Sequence, residues 1–145
     1  MNISDILSIS TSSLFIIPLI LYLITNKSYH ILAFVGVLAS QVISMTLRRI
    51  IIKEYSPRPH GAMNCDVMGT NGNRSGKPGL PSSHVTVVVF FTLFYLPYIT
   101  NPILRAMLIL YAISIMVSRY DKKCHSVSQI ITGALLGLGI HCVVK

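Results

Sequence analysis

The sequence predicts an all-α fold, an integral membrane bundle of about five transmembrane helices. Three observations lead there. Hydrophobic residues make up 52% of the 145 and charged residues only 11%, with a mean hydropathy of +0.68, unlike a soluble domain of this size. Several apolar runs approach the roughly 20 residues that cross a ~30 Å hydrocarbon core. The charges gather at the ends of those runs. A net charge of +8 placed in that way suits headgroups and anionic ligands. It does not form the basic stripe that nucleic acid would need. By length, residues 1–145 are one domain.

The first span is expected over residues 6–25, with Pro18 tolerated because neighbouring helices satisfy the freed carbonyl. Residues 1–5 have no basic segment and no small-residue cleavage site follows, so this helix is read as an uncleaved anchor. After a turn at 26–29, a second helix runs from about His30 to Glu54. Its apolar part, 31–47, is short for a span. Arg48, Arg49 and Lys53 mark its emergence, and Pro57 disfavours helical geometry at Ser56.

Residues 56–81 are the longest polar stretch. Gly61, Gly69, Gly72, Gly76 and Gly79, with Asn64, Asn71 and Asn73, predict an irregular and mobile segment. A loop this long in so small a chain reads as a lid or binding segment. The third span is expected over 82–99, capped by Ser82 or Ser83. A turn at 100–102 leads to the fourth span, 103–119, and the fifth covers 125–143. Gly133 and Gly137 match the small-xxx-small packing pattern, better explained by packing within the chain than by dimerisation. Cys65, Cys124 and Cys142 share no metal or disulfide spacing, and at least one must be unpaired.

Five crossings bring the 56–81 loop and the 119–124 turn to one side. Lys53, Arg58, Ser83, His84, Arg119 and His125 then converge on one face. Phosphoryl transfer needs such a set: donors that neutralise the phosphate oxygens, a nucleophile in line, and a proton for the leaving group. Arg58 and Arg119 offer planar forks for bidentate contact. The N-terminus of the third helix adds free N–H groups and a positive dipole end. One imidazole can attack phosphorus while the other donates a proton, which gives a phosphohistidine that water hydrolyses. No carboxylate cluster or Cys/His spacing suggests a metal, so no metal or other cofactor is expected. Taken singly, each residue has a plainer reading, since an interfacial Arg commonly snorkels to headgroups. His30, His60 and His141 are left to packing or surface roles.

The arrangement resembles the type-2 phosphatidic acid phosphatase (PAP2) superfamily of membrane phosphatases. Its signature is Lys-x6-Arg-Pro, then Pro-Ser-Gly-His, then Ser-Arg-x5-His-x3-Asp. The third part is matched by Ser118-Arg119, His125 and Gln129, the second by Pro81-Ser82-Ser83-His84, the first by Arg58-Pro59. The lysine is displaced: Ile51 holds its position, Lys53 is the nearest candidate, and Arg48 lies one helical turn before Ile51. Ser83 replaces the usual glycine and Gln129 the usual aspartate. Both departures are similar to the dolichyl diphosphatase branch, which carries Pro-Ser-Ser-His and His-x-x-Ser-Gln. The family usually has six spans, against five counted here.

This resemblance implies a PAP2-like bundle with His125 as nucleophile and His84 as the acid for the leaving lipid phosphate. Arg58, Arg119, Ser82, Ser83 and a basic residue near Lys53 would bind the phosphate. Gln129, four residues beyond His125, is placed to accept the ring N–H and set the tautomer. The implied activity removes the terminal phosphate of a dolichyl or other polyprenyl diphosphate, with membrane lipid as the partner. A phosphatase for phosphatidate or a sphingoid phosphate is the alternative within the enzyme class. A non-catalytic lipid-phosphate binder or scaffold is the alternative outside it. The resemblance also implies the endoplasmic reticulum with a lumenal site, where Asn73-Arg74-Ser75 would be a glycosylation sequon. Charge points the other way: of 12 Lys and Arg, only Lys27, Arg105 and Lys145 lie opposite the site, which favours the cytoplasm by the positive-inside rule.

Overall fold

A computed structural model describes residues 2–66 and 70–145. Six α-helices follow one another: α1 (Ile3–Ser10), α2 (Ser13–Thr25), α3 (Tyr29–Thr46), α4 (Ser83–Tyr95), α5 (Pro102–Asp121) and α6 (Val127–Val144). A π-helical turn, Leu47–Ile52, prolongs α3. The apolar segments Tyr29–Ile52, Pro102–Asp121 and Val127–Val144 are each long enough to cross a membrane. The chain is therefore an all-helical protein with integral membrane character.

The span expected over 6–25 is instead a bent pair, with α1 and α2 meeting at 45°. The cause is local. Ser8, Ser10, Thr11, Ser12 and Ser13 each donate a side-chain hydroxyl to a carbonyl three or four residues back, competition that bends helices. The third expected span is also shorter than read. α4 has 13 residues and ends in a 3-residue 3₁₀ turn, Leu96–Tyr98, because Pro97 lacks an N–H and clashes with the preceding turn.

What α4 lacks in length it makes up in burial. Val85, Val87, Val88, Phe90, Phe91 and Phe94 are all buried, as expected of a helix that is apolar all round. It packs against α3, α5 and α6. Two glycines of α6 set the closest approach. A Cβ on Gly133 would lie 2.8 Å from the Ser82 carbonyl oxygen, and one on Gly137 2.6 Å from that of Thr86. The small-residue pattern thus seats the α4 N-terminus, where Ser83 and His84 begin the helix. Ile103, Leu104, Met107, Leu110, Ile113 and Val117 of α5 are exposed, an outer face suited to lipid.

The 56–81 loop is more ordered than its glycines and asparagines suggest. Isolated bridges pair Pro57 with Pro78 and Met63 with Asn73. They are reinforced by Arg58 N–H to the Lys77 carbonyl (2.9 Å), Arg74 N–H to Ala62 (2.8 Å) and Asn64 N–H to Gly72 (2.9 Å). Gly69 lies outside the described residues. Contrary to the reading of the cysteines, Cys65 and Cys124 form a disulfide across 59 residues. Cys142 is free and exposed.

Candidate active site

Three segments meet at one end of the bundle: α1, the 56–81 loop and the turn between α5 and α6. Lys122 joins all three. Its Nζ pairs with Asp5 Oδ1 at 2.6 Å and donates to the Asn64 carbonyl at 3.0 Å. The disulfide fixes the same loop to Cys124, the residue before His125.

Arg58 enters this end from the loop and is buried. Its Nη1 donates to the Cys124 carbonyl at 2.8 Å and lies 3.4 Å from His125 Nε2. His125 is 1% exposed, and its backbone N–H reaches the Arg119 carbonyl at 3.2 Å. Burial holds the His125 imidazole well below its usual protonation range, followed by the charges of Arg58, His84, Arg48 and Arg119. Burial also pushes Arg58 down to about 9, with Arg48, Arg74 and Arg119 adding to it. So many cations around two buried groups call for an anion among them.

Arg119 is fully buried. Its Nη2 donates to Ser8 Oγ and, at 3.5 Å, to the Ser4 carbonyl, while Nε and Nη1 have no partner. The bend at α1 matters here, because it brings Ser4 and Ser8 over this guanidinium. Nothing in the sequence marks those two serines. Ser83 and His84 sit in the first turn of α4, whose N–H groups receive no side-chain cap. Ser82, Ser83 and His84 are buried, and Ser82 Oγ, Ser83 Oγ and His84 Nε2 are unpartnered. The cap expected from either serine is not made.

A cavity of about 210 Å³ opens beside these groups, lined by Arg48, Arg49, Arg58, Arg74, Ser83 and His84 among others. Arg58 links it to His125, lining the one and lying against the other. His125, Arg119 and Ser82 do not line it. Neither does Lys53, which is exposed beyond the π turn. Arg48 lines the cavity in its place, because the π turn carries Arg48 and Arg49 towards the loop before Lys53 leaves the helix with φ +44°. Arg49 and Arg74 escaped the sequence reading, although Arg74 belongs to a loop read as a binding segment.

Gln129 requires a correction. It does not hydrogen-bond His125, whose Nδ1 has no partner. Its Oε1 accepts from Ser126 N–H at 3.1 Å, and its Nε2 donates to the Ser56 carbonyl, Ser56 Oγ and the Pro57 carbonyl at 2.9–3.1 Å. The reason is helical register. α6 starts only after its N-cap Ser126, so His125 lies outside the helix and the i,i+4 relation is lost. Gln129 closes a capping box and anchors the loop entry instead. His30 bonds Tyr95 Oη at 3.0 Å and His141 lies near Phe90, both packing contacts. His60 is exposed.

Among the described residues, no group of three or more His, Cys, Asp or Glu is placed to hold a metal ion. No curated protein and no solved structure matches the chain. The family model of the PAP2 superfamily, whose members are generally phosphatases, matches residues 29–145. That span runs from the first residue of α3 to the end of the chain and contains every signature residue named above. With most of its length matched, the chain belongs to the PAP2 superfamily.

Proposed function

We propose that this protein is a membrane phosphatase that removes the terminal phosphate of an isoprenoid diphosphate, a dolichyl or other polyprenyl ester. The observation that carries the reading is the approach of Arg58 to His125, 3.4 Å from Nη1 to Nε2, with His84 and Arg119 acting on the same imidazole. A phosphoryl group drawn to Arg58 would arrive in front of Nε2. That nitrogen attacks the terminal phosphorus, and the bond from phosphorus to the bridging oxygen breaks. His84 gives its proton to the departing lipid phosphate, and the substrate's negative charge favours the protonated form of that imidazole. Water then attacks the phosphohistidine, His84 takes up its proton, and inorganic phosphate leaves. Arg58, Arg119 and Ser83 neutralise the oxygens, and Arg48 fills the role of the displaced lysine.

The isoprenoid assignment draws on Pro81-Ser82-Ser83-His84 and on His125 followed by Ser128-Gln129, as in the dolichyl diphosphatase branch. Placement of the site on a lumenal face draws on the Cys65–Cys124 disulfide, since such bonds persist in oxidising compartments. The deciding experiment compares purified protein on polyprenyl diphosphate, polyprenyl monophosphate and phosphatidate, alongside His125→Ala. We expect the diphosphate to be the best substrate and the variant to lose at least about 10²-fold. A preference for phosphatidate would replace the substrate, and equal activity of His125→Ala would remove the mechanism.

A further inference from the structure

The cavity carries more positive charge than one phosphoryl group needs. Arg48, Arg49, Arg58 and Arg74 line it, and among the described lining residues the one carboxylate is that of Asp66, which is engaged by Thr70 N–H at 2.8 Å and Thr70 Oγ1 at 3.2 Å. A phosphate monoester carries about −1.5 to −2 at pH 7, whereas a diphosphate ester adds a second ionised group. The extra cations are also positioned rather than scattered. Successive residues of a regular α-helix diverge by about 100°, yet Arg48 and Arg49 face one cavity from the π turn. Arg74 is held by its backbone N–H to the Ala62 carbonyl at 2.8 Å, within a loop stapled by the disulfide. Its Nε is buried without a partner, and its charge reaches Arg58. None of the signature positions includes Arg49 or Arg74.

We infer that Arg74, together with Arg49, forms a second phosphoryl seat that holds the phosphate left on the lipid, so that the enzyme selects diphosphate over monophosphate esters. The seat shares the cavity with Ser83, His84 and Arg58, the groups assigned to the reacting phosphoryl. Selectivity then comes from the loop and the π turn rather than from the histidines. This inference rests on the diphosphate reading above and adds the residues that would enforce it.

The test uses full-length purified Arg74→Gln, Arg74→Lys and Arg49→Gln, each checked for unchanged thermal unfolding. For Arg74→Gln we expect kcat/KM on polyprenyl diphosphate to fall about 10- to 100-fold, the scale of a lost charged hydrogen bond. On the matching monophosphate it should fall by less than about 3-fold. Arg74→Lys should recover part of the loss, and Arg49→Gln should show the same selectivity more weakly. Should Arg74→Gln unfold, Arg49→Gln carries the comparison. Equal losses on both substrates, or none on either, would overturn the seat. A second readout needs no turnover: wild type should bind inorganic pyrophosphate at least about 10-fold more tightly than orthophosphate, and Arg74→Gln should lose that difference. Retained pyrophosphate preference in an enzyme that ignores polyprenyl diphosphate would sink the substrate reading and keep the seat. Good diphosphate turnover with an unaffected Arg74→Gln would do the reverse.

Discussion

Arg58 and His125 meet as donor and acceptor, Nη1 to Nε2 at 3.4 Å, while the same Nη1 holds the Cys124 carbonyl at 2.8 Å. A guanidinium has only donors, so Nε2 must present its lone pair and the ring proton belongs on Nδ1. The contact therefore selects the neutral tautomer whose lone pair on Nε2 faces Arg58, the guanidinium that also lines the cavity. Burial and the positive neighbours act in the same direction, holding His125 well below its usual range.

The sign of the pH dependence follows. A nucleophile whose protonation is depressed stays neutral at lower pH, so the acid limb of kcat/KM should lie below the ordinary histidine value of about 6.5. Arg58→Gln removes the largest charge acting on His125. The acid limb should then move to higher pH, with activity down by about 10²-fold for the lost phosphate contact. A pH–rate profile of the two proteins reads both quantities. An acid limb that stays in place, or moves down, would break the pairing of these residues.

His84 and His125 should separate when the leaving group is varied. Where protonation of the departing oxygen limits turnover, rather than the later proton uptake from water, His84→Ala should lose at least about 10²-fold on a lipid diphosphate. Much of that loss should return with an ester whose leaving group needs no proton, such as p-nitrophenyl phosphate. His125→Ala should stay inactive on both, because no phosphoenzyme can form. Labelling with radioactive substrate, quenched in alkaline detergent, should show a base-stable, acid-labile phosphoenzyme in wild type and none in His125→Ala. Rescue of His125→Ala by the activated ester would exchange the two roles.

Gln129 should behave as a structural residue. Its Nε2 makes three contacts to Ser56 and Pro57, the residues that lead into Arg58. Gln129→Ala should lower stability by about 1–3 kcal/mol, the range for buried acceptors left unpaired. It should leave the acid limb of the pH profile where it is, since no bond reaches His125. Thermal unfolding and the pH profile together decide the matter. A moved acid limb with unchanged unfolding would restore the orienting role.

Which features could be read in advance follows from how local their causes are. Arg58, His84, Arg119 and His125 were legible because each sits in a short motif at the end of an apolar run. The capping role of Gln129 is also visible, since Ser126-Val127-Ser128-Gln129 has the S-x-x-Q form; the i,i+4 relation assumes a helix from His125, two residues before α6 begins at Val127. The bend at α1 has a local signal too, in the run from Ser8 to Ser13, but hydropathy averages across it. Pro97 was in plain view, yet a window dominated by valine and phenylalanine concealed the early end of α4. The Cys65–Cys124 bond leaves no local spacing at all, because it joins residues 59 apart. Arg49 and Arg74 share that difficulty, since only the folded loop shows that they face one cavity.

The disulfide gives the last expectation its mechanism. Cys124 supplies the carbonyl that Arg58 grips and precedes His125 directly, while Cys65 lines the same cavity as Arg58 and Arg74. Cutting the bond should loosen both the turn that carries His125 and the loop that carries Arg58 and Arg74. A cross-link closing a loop of this length contributes about 2–4 kcal/mol. Reductant, or Cys65→Ser, should therefore lower the unfolding temperature and activity together. Cys142→Ser should change neither, since that thiol is exposed at the end of α6. Alkylation of the native protein should label one thiol of the three before reduction and all three after it. Three reactive thiols in a fully active native protein would remove the staple, and with it the support it lends to a lumenal site.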